Sequence, residues 1–356
     1  MHHQTDRSVE IVSASPQGSI WHRAAPGLVL MLLAPVLAEI LPGATRFSAI
    51  FVLPIEICVW GGGALLIRDA VRRGQLGWRN LVFLALALAL AEECLIQQTS
   101  LAPLVIQIKG QNYARAFGVN YVYLLWALVY ESVFVVFAPV YLAELIFRSR
   151  RDSPWLGRKA MVVVAVLFVL GGFLAWFSWT QIARPKVFHV PAYHPPLSAV
   201  AMAVAAITAL IFGALGPFRR SLARPPSPLP PPAPWVLGLA AGTWATLWYG
   251  LVLLAFGIAP EVPPALPVGG GILIAVVILV LLPRWAAHSR WEERHQFATL
   301  FGAIVGSMLV SFIGFIGSLP LDLYFKIGVD VLALILLLAL GTRLRHGNPS
   351  QPETEN

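Results

Sequence analysis

Residues 80–98 read NLVFLALALALAEECLIQQ, and this stretch decides the class of the protein. An apolar run of about this length can cross a lipid bilayer as a helix. Similar runs recur along the chain, in which 58% of the residues are hydrophobic and only 12% are charged. Soluble domains carry about 25% charged residues, because their surfaces must be hydrated. The sequence therefore predicts an integral membrane protein and excludes a protein built of two soluble domains.

The apolar runs predict an all-α polytopic bundle of ten transmembrane helices. They cover residues 26–43, 48–67, 80–98, 121–147, 160–179, 196–216, 235–258, 268–283, 297–317 and 327–342. The eighth and tenth runs are short, so we expect these two spans to be tilted or partly re-entrant. Prolines at 218–234 forbid a continuous helix and favour an extended spacer. We interpret this segment as a cytoplasmic linker between a six-span bundle at 26–217 and a four-span bundle at 235–342, flanked by cytoplasmic tails at 1–25 and 343–356.

The distribution of basic residues predicts the orientation. When the ten spans alternate in direction, most of the 25 lysines and arginines fall on one side of the membrane. The other side holds only Arg46, Lys109, Arg115, Arg184, Lys186 and Lys326. Because cytoplasmic loops are enriched in basic residues, we expect both termini to lie in the cytoplasm and the protein to be a multi-pass protein of the bacterial cytoplasmic membrane. The lipid bilayer is then its partner. The chain contains no basic domain of the kind that binds nucleic acid, and the sequence leaves the oligomeric state open.

Carboxylates inside the predicted spans are the candidate functional groups. The first four spans contain Glu39, Glu56, Glu92, Glu93 and Glu131, and the tenth contains Asp330. A charge in the bilayer interior is costly, so an intramembrane carboxylate indicates function by default. At ~1.5 Å per residue, glutamates of all four spans lie about 6 to 15 Å below the outer ends of their helices. No lysine or arginine is expected at that depth, so neighbouring carboxylates cannot all be ionised.

We predict a substrate-binding or ion-binding site formed by Glu56, Glu92, Glu93 and Glu131, with Gln97 and Glu39. Glu39 lies nearest the outer end of its span. The site would hold protons, bind a cation or hydrogen-bond a polar small molecule, which favours a role in transport or small-molecule binding. The alternative is a scaffold or assembly subunit in which each buried glutamate only fixes the register of its helix. We set Glu144 aside, because Arg148 follows it at the (i, i+4) spacing of a helical ion pair.

No motif of an enzyme or of a cofactor site is present. The eight histidines all lie outside the predicted spans, and HExxH, GxSxG, Walker and GxGxxG motifs are absent from the sequence. We therefore predict no metal and no cofactor, and identify no catalytic residue. Small residues at Gly61–Gly63 and at Gly302 and Gly306 predict close packing between helices of the chain.

Four short segments carry a resemblance to known sequences. GGALLIRD at 62–69, GW at 77–78, EE at 92–93 and PWLGR at 154–158 resemble uncharacterised bacterial multispan membrane proteins over roughly the first 160 residues. No activity is implied by that resemblance. Glu92 and Glu93 alone are also similar to the Glu-Glu-x-x-x-Arg motif of the CPBP family, which includes the CAAX-prenyl intramembrane proteases. Here Gln97 replaces the arginine and no span contains the histidines of that family, so this likeness implies a divergent or inactive protease in which Glu92 or Glu93 would activate a water.

Overall fold

The computed structural model describes residues 20–105, 109–110, 112–216 and 227–346. Within these ranges the chain forms ten helices, one for each predicted run, and the all-α prediction is confirmed. They are α1 (Ile20–Pro35, continued by a π-helical turn at Val36–Ile40), α2 (Phe47–Arg73), α3 (Trp78–Ala91, continued by a π-helical turn at Glu92–Ile96), α4 (Tyr121–Ile146), α5 (Arg158–Val187), α6 (Leu197–Leu215), α7 (Pro234–Ile258), α8 (Ala265–Ala286), α9 (Glu293–Phe315) and α10 (Pro320–His346). Two short antiparallel strands, β1 (Arg115–Ala116) and β2 (Val119–Asn120), lie between α3 and α4.

Eight of the ten helices are long and apolar enough to cross a membrane. The other two are α1, whose apolar part is the shorter segment Ala24–Ile40, and α3, which carries Arg79, Glu92 and Glu93. The predicted lengths of the eighth and tenth runs are too short, since α8 has 22 residues and α10 has 27. That these two spans are tilted or partly re-entrant stays a prediction. Hydropathy alone underestimated both lengths, because each helix continues through proline, glycine or charged residues at its ends.

Contacts between loops define two faces of the bundle. On the first, which we call the loop face, the α3–α4 loop reaches the α7–α8 loop through the Tyr113 hydroxyl, which donates to the Val262 carbonyl at 2.8 Å. On the second, which we call the basic face, Arg151 contacts Glu293 at the start of α9 at 2.8 Å. The assignment of the basic face to the cytoplasm stays a prediction. So does the division into two bundles, because the predicted tails lie largely, and the linker in good part, outside the described residues.

The bundle is centred on α1 to α4. In the most apolar 18-residue segment of α4, 50% of the residues are buried, whereas in that of α8 only 6% are buried. The main apolar cluster includes Leu30 of α1, Val59 of α2, Leu84 of α3 and Val135 of α4. Peripheral helices such as α5, α6, α8 and α10 expose long apolar faces, as expected of helices in contact with lipid tails.

Helices α7 and α9 cross at a point where only glycine fits. A Cβ atom added to Gly302 would lie 1.9 Å from the Gly238 carbonyl oxygen, and one added to Gly306 would lie 2.4 Å from the Gly242 carbonyl oxygen. Each helix therefore contributes a Gly-x-x-x-Gly face to the same contact, which is the arrangement that brings membrane helices closest together. The predicted packing role of Gly302 and Gly306 is realised within one chain.

Glu144 is shared by two arginines at the basic end of α2. Arg68 Nε lies 3.1 Å from Glu144 Oε1, and Arg72 Nη2 lies 2.7 Å from Glu144 Oε2. The prediction that Glu144 pairs with Arg148 is wrong, because α4 ends before Arg148, which starts a separate 3₁₀ turn and contacts Glu293 instead. Glu144 thus ties α2 to α4 rather than one turn of α4 to the next.

The same end of α2 holds the α4–α5 loop in place. Arg68 stacks on the Trp155 ring, with the guanidinium carbon 3.4 Å from the ring centroid. The Asp69 carboxylate accepts hydrogen bonds from the backbone N–H groups of Trp155 and Leu156 at 3.0 and 3.1 Å, and it also pairs with Arg73. The sequence segments 62–69 and 154–158 therefore contact each other and hold the α4–α5 loop against α2 on the basic face.

Candidate functional site

Three carboxylates from three different helices converge between α1, α3 and α4. Glu39, Glu92 and Glu131 each offer an oxygen atom, and these oxygens all lie within 4.8 Å of one another. Glu92 and Glu131 are buried, and Glu39 is half-buried. We call these three residues the triad. Glu39 belongs to this group although the sequence placed it nearest the outer end of its span.

Every helix that brings a glutamate to this layer is distorted there. The π-helical turns lie at Val36–Ile40 in α1, Ile57–Gly61 in α2, Glu92–Ile96 in α3 and Ser132–Phe137 in α4. Each turn contains a predicted site glutamate or begins directly after one. A π turn inserts one extra residue and changes the direction of the side chains around it, and such turns are frequent at functional sites. The four turns therefore affect the directions of the glutamates in this layer. Further π turns lie at Ser178–Val187 in α5 and Leu253–Ile258 in α7, which contain no predicted site residue.

Three successive glycines let α2 lie close to its neighbours beside the triad. A Cβ atom on Gly61 would lie 2.1 Å from the Met31 carbonyl oxygen of α1, and one on Gly63 would lie 2.9 Å from the Leu88 side chain of α3. The glycine between them faces Phe168 of α5. The segment Gly61–Gly63 therefore draws together the helices that supply two members of the triad.

The other predicted site residues lie around the triad with partners of their own. Glu56 accepts a hydrogen bond from the Thr45 hydroxyl at 2.5 Å, and Glu93 accepts one from the Ser100 hydroxyl at 2.6 Å. Gln97 is half-buried, and its side-chain oxygen lies 3.5 Å from the hydroxyl of a neighbouring threonine. The structure thus separates a central group of three from two glutamates that are each held by a hydroxyl.

The buried carboxylates have polar atoms without partners. Glu56, Glu92 and Glu131 each have an Oε2 atom that makes no hydrogen bond to the described residues. The indole N–H of Trp60 also makes none. No described lysine or arginine forms an ion pair with any of the five glutamates. Buried polar groups in proteins are normally paired, so these oxygens could accept hydrogen bonds from a protonated neighbour or from a ligand.

Asp330 does not belong to this group. The helix α10 begins at Pro320, so Lys326 lies inside it and not in a loop as the sequence indicated; it is 1% exposed. Its ammonium group pairs with Asp330, lies 3.2 Å from the Met308 carbonyl oxygen, and sits 4.5 Å from the centre of the Phe312 ring. Asp330 therefore has its own counter-charge, whereas the triad has none among the described residues.

An aromatic cluster adjoins the triad, and the sequence analysis missed it. The Trp126 and Tyr130 rings stack at 4.7 Å, and Tyr249 of α7 contacts both, at 5.8 and 5.5 Å. The Tyr130 hydroxyl donates to the carbonyl of Ala38, directly before Glu39. No motif in the sequence marked Trp126 as part of a site, and nothing linked Tyr249 to α4. Thr45, Ser100 and Trp60 were missed for the same reason.

The donor set limits the chemistry of the triad. It consists of oxygen atoms alone, which suit protons and hard cations, whereas zinc sites generally use histidine or cysteine. The described histidines lie in loops or near helix ends; His295 is buried, but it caps the start of α9 on the basic face. The donor set therefore fits protons or a hard cation better than zinc.

The helices that form the triad also belong to the part of the chain that resembles other proteins. Residues 28–184 match the model of an uncharacterized membrane protein family. The match confirms the predicted resemblance and includes all six predicted site residues, but not Tyr249. The likeness to the CPBP family stays a prediction. No curated protein and no solved structure matches the chain significantly.

Proposed function

We propose that this membrane protein binds protons or a hard cation at the triad and couples that binding to the movement of a small molecule. The observation that carries the proposal is the convergence of three carboxylates from three helices, with oxygens within 4.8 Å of one another and no basic partner in the described part of the chain. The π turns in all the contributing helices support the same interpretation.

Electrostatics explain why such a site would be occupied. Carboxylates this close together repel each other strongly in a medium of low dielectric constant, so ionisation of all three is excluded unless a cation enters. The site would then hold protons, exchange them for a cation, or share them with a ligand. Intramembrane carboxylates of this kind are typical of proton relays and ion-coupled transporters.

The binding step is tested with purified protein in lipid nanodiscs. A carbodiimide labels protonated carboxyl groups buried in apolar surroundings, and peptide mass spectrometry identifies the labelled residue. We expect labelling at Glu92 or Glu131 that decreases as pH rises and as a bound cation protects the site. Glu261→Gln, which changes an exposed loop glutamate, serves as the control and should label like the wild type.

The coupling step is tested in reconstituted proteoliposomes on a solid-supported membrane. A proton or cation jump should give a current transient in the wild type and in Glu261→Gln. Glu131→Gln and Glu92→Gln should abolish the transient. Wild-type transients and wild-type labelling in both triad variants would overturn the proposal.

The two alternatives predict other outcomes for the same variants. A scaffold whose glutamates only fix helix register would lose thermal stability in Glu92→Gln and show no current in any form. A divergent intramembrane protease would cleave a membrane substrate and lose that cleavage in Glu92→Gln.

A further inference from the structure

A cavity opens on the basic face between α2, α3 and α4. It contains about 340 Å³ of empty space, which is within the size range of sites for small ligands. Arg72 contributes to its polar lining, and Leu81 and Val140 contribute to its apolar lining. The cavity lies at the level of the helix ends, since α2 ends at Arg73 and α3 begins at Trp78. Helix ends of a membrane protein lie close to the phosphate groups of the lipids.

The arginines that line the cavity carry more charge than their carboxylate partner neutralises. Arg68 is buried, and its three nitrogen atoms donate to Glu144 and to two backbone carbonyl groups of the α4–α5 loop, at 3.1, 2.8 and 2.6 Å. Arg72 donates to the same Glu144 from Nε and Nη2, at 3.0 and 2.7 Å. Asp69, a second carboxylate at this end of α2, is fully buried and pairs with Arg73. One carboxylate therefore serves two guanidinium groups of the lining, and one positive charge is left over.

The donor that remains for a ligand belongs to Arg72. Its side chain is 28% exposed, and its Nη1 atom makes no hydrogen bond to the part of the chain that the structure describes. The Asp152 carboxylate lies 4.0 Å from this atom, but its side chain is 82% exposed. Ion pairs of exposed groups contribute little, so an anion that enters the cavity can displace Asp152. A guanidinium group suits phosphate oxygens, because its N–H groups match them in geometry as well as in charge.

The start of α3 adds positive potential to the same cavity. Gly77 precedes this helix and lines the cavity, and no described side chain caps the helix there. The amino end of a helix carries a partial positive charge, which favours anions. Arg79 is exposed, and its guanidinium carbon lies 6.0 Å from the centre of the ring of Trp78, which also lines the cavity. Positive charge from two arginines and from a helix start is thus placed near one opening.

The remaining lining distinguishes this cavity from a purely polar anion site. Its apolar residues are buried, and they are Val71, Leu76, Leu81 and Val140. A lipid offers a charged phosphate joined to apolar chains, so it matches both parts of such a lining. Basic pockets between membrane helices are known to bind the headgroups of anionic lipids.

We propose that this cavity binds a phosphate group, with Arg72 as the residue that contacts it. The phosphate is carried by an anionic lipid headgroup or by a soluble compound, and the apolar lining favours the lipid. The site shares no residue with the triad, so it does not rest on the proposed function.

The two sources of phosphate are distinguished with the purified full-length protein in detergent. Native mass spectrometry measures the binding of phosphatidylglycerol, with phosphatidylcholine, which has no net charge, as the reference lipid. Isothermal titration calorimetry measures the binding of inorganic phosphate. Tighter binding of phosphatidylglycerol than of inorganic phosphate assigns the site to a lipid headgroup, and the reverse assigns it to a soluble phosphate. Binding of neither overturns the proposal.

Variants locate the binding at the cavity. Arg72→Gln should weaken it by about tenfold or more, as expected for the loss of a charge-assisted hydrogen bond. Arg158→Gln removes the same charge from an exposed position of the basic face outside the lining, so it should bind like the wild type. Arg79→Gln should weaken the binding by about two- to fivefold, through the loss of an exposed charge.

A loss of folding is separated from a loss of binding by thermal unfolding of each variant. Arg72→Gln removes one partner of the buried Glu144, whereas Arg79 forms no ion pair with the described residues. If Arg72→Gln folds and binds as tightly as Arg158→Gln, the proposal is overturned. If Arg72→Gln does not fold, unchanged binding in Arg79→Gln overturns it.

Discussion

The contact between α7 and α9 gives a prediction whose magnitude follows from the geometry. An ordinary Cβ contact needs about 3.4 Å or more, whereas the Cβ of Gly302→Ala would lie 1.9 Å from the Gly238 carbonyl oxygen. The obstacle is backbone, which cannot change rotamer, so the two helices must separate by about 1.5 Å or bend. Overpacking of this kind costs about 1–3 kcal/mol, and the rigid obstacle favours the upper end.

The higher helix propensity of alanine partly offsets that cost, so a control variant is needed to measure the propensity effect by itself. Alanine favours a helix over glycine by up to about 1 kcal/mol, so Gly302→Ala should be destabilised by about 2 kcal/mol net. Gly250 lies in α7 with no atom within 4 Å of its added Cβ, so Gly250→Ala should gain the propensity term alone. The two variants should then differ by about 3 kcal/mol in the free energy of unfolding, measured by reversible unfolding in mixed micelles. Equal stability of the two variants would refute the close crossing.

Three further predictions concern the basic face, the triad and the loop beside α10. A double-mutant cycle between Glu144 and Arg68 should give a strong coupling energy, whereas the cycle with Arg148 should give none. Loss of Glu144 alone should cost about 3–5 kcal/mol, because the buried Arg68 and the half-buried Arg72 lose their shared partner. Replacing a buried member of the triad by glutamine should raise the melting temperature at neutral pH and abolish proton uptake, because the repulsion among the three carboxyl groups is relieved and a titratable group is lost. A lower melting temperature would favour a packing role. Gly43→Ala should destabilise the protein more than Gly317→Ala. Both glycines have a positive φ, but only the Cβ added at Gly43 would meet another side chain, at 2.3 Å from an atom of the Phe315 ring. Equal melting temperatures of the two variants would contradict this prediction.

The fold was largely predictable because the hydropathy of a segment indicates whether lipid or water surrounds it. Every predicted run became a helix, and the small residues at 302 and 306 became a close contact. The helix ends were not predictable, because Lys326 and Asp330 neutralise each other and allow α10 to continue where hydropathy falls. The partner of Glu144 was not predictable either, because the sequence shows which residues are four apart in one helix but not that Arg68 of another helix lies nearby.

The site was predictable as a layer and not as a geometry. Depth along each helix indicated that the glutamates share a level. Rules for the spacing of metal ligands within one segment could add nothing, because each helix contributes a single member of the triad. Which residues meet depends on the rotation of each helix, and the π turns change that rotation without any signal in the composition. The hydroxyls of Thr45 and Ser100 come from loops that fold back, so only coordinates could place them.

The triad also has a consequence for how the chain enters the membrane. Two of its members come from α1 and α3, the two helices that fall short of the criteria for an independent span. A charged side chain opposes insertion of its helix, by roughly 2.5–3.5 kcal/mol at the centre and by less toward the ends, and α3 carries two adjacent glutamates in its last turn. Such helices become stable in the bilayer chiefly when neighbouring helices shield their polar groups. Biogenesis of this protein would then proceed with α2 and α4 as the self-sufficient spans, and the triad would be completed as the weaker helices join them.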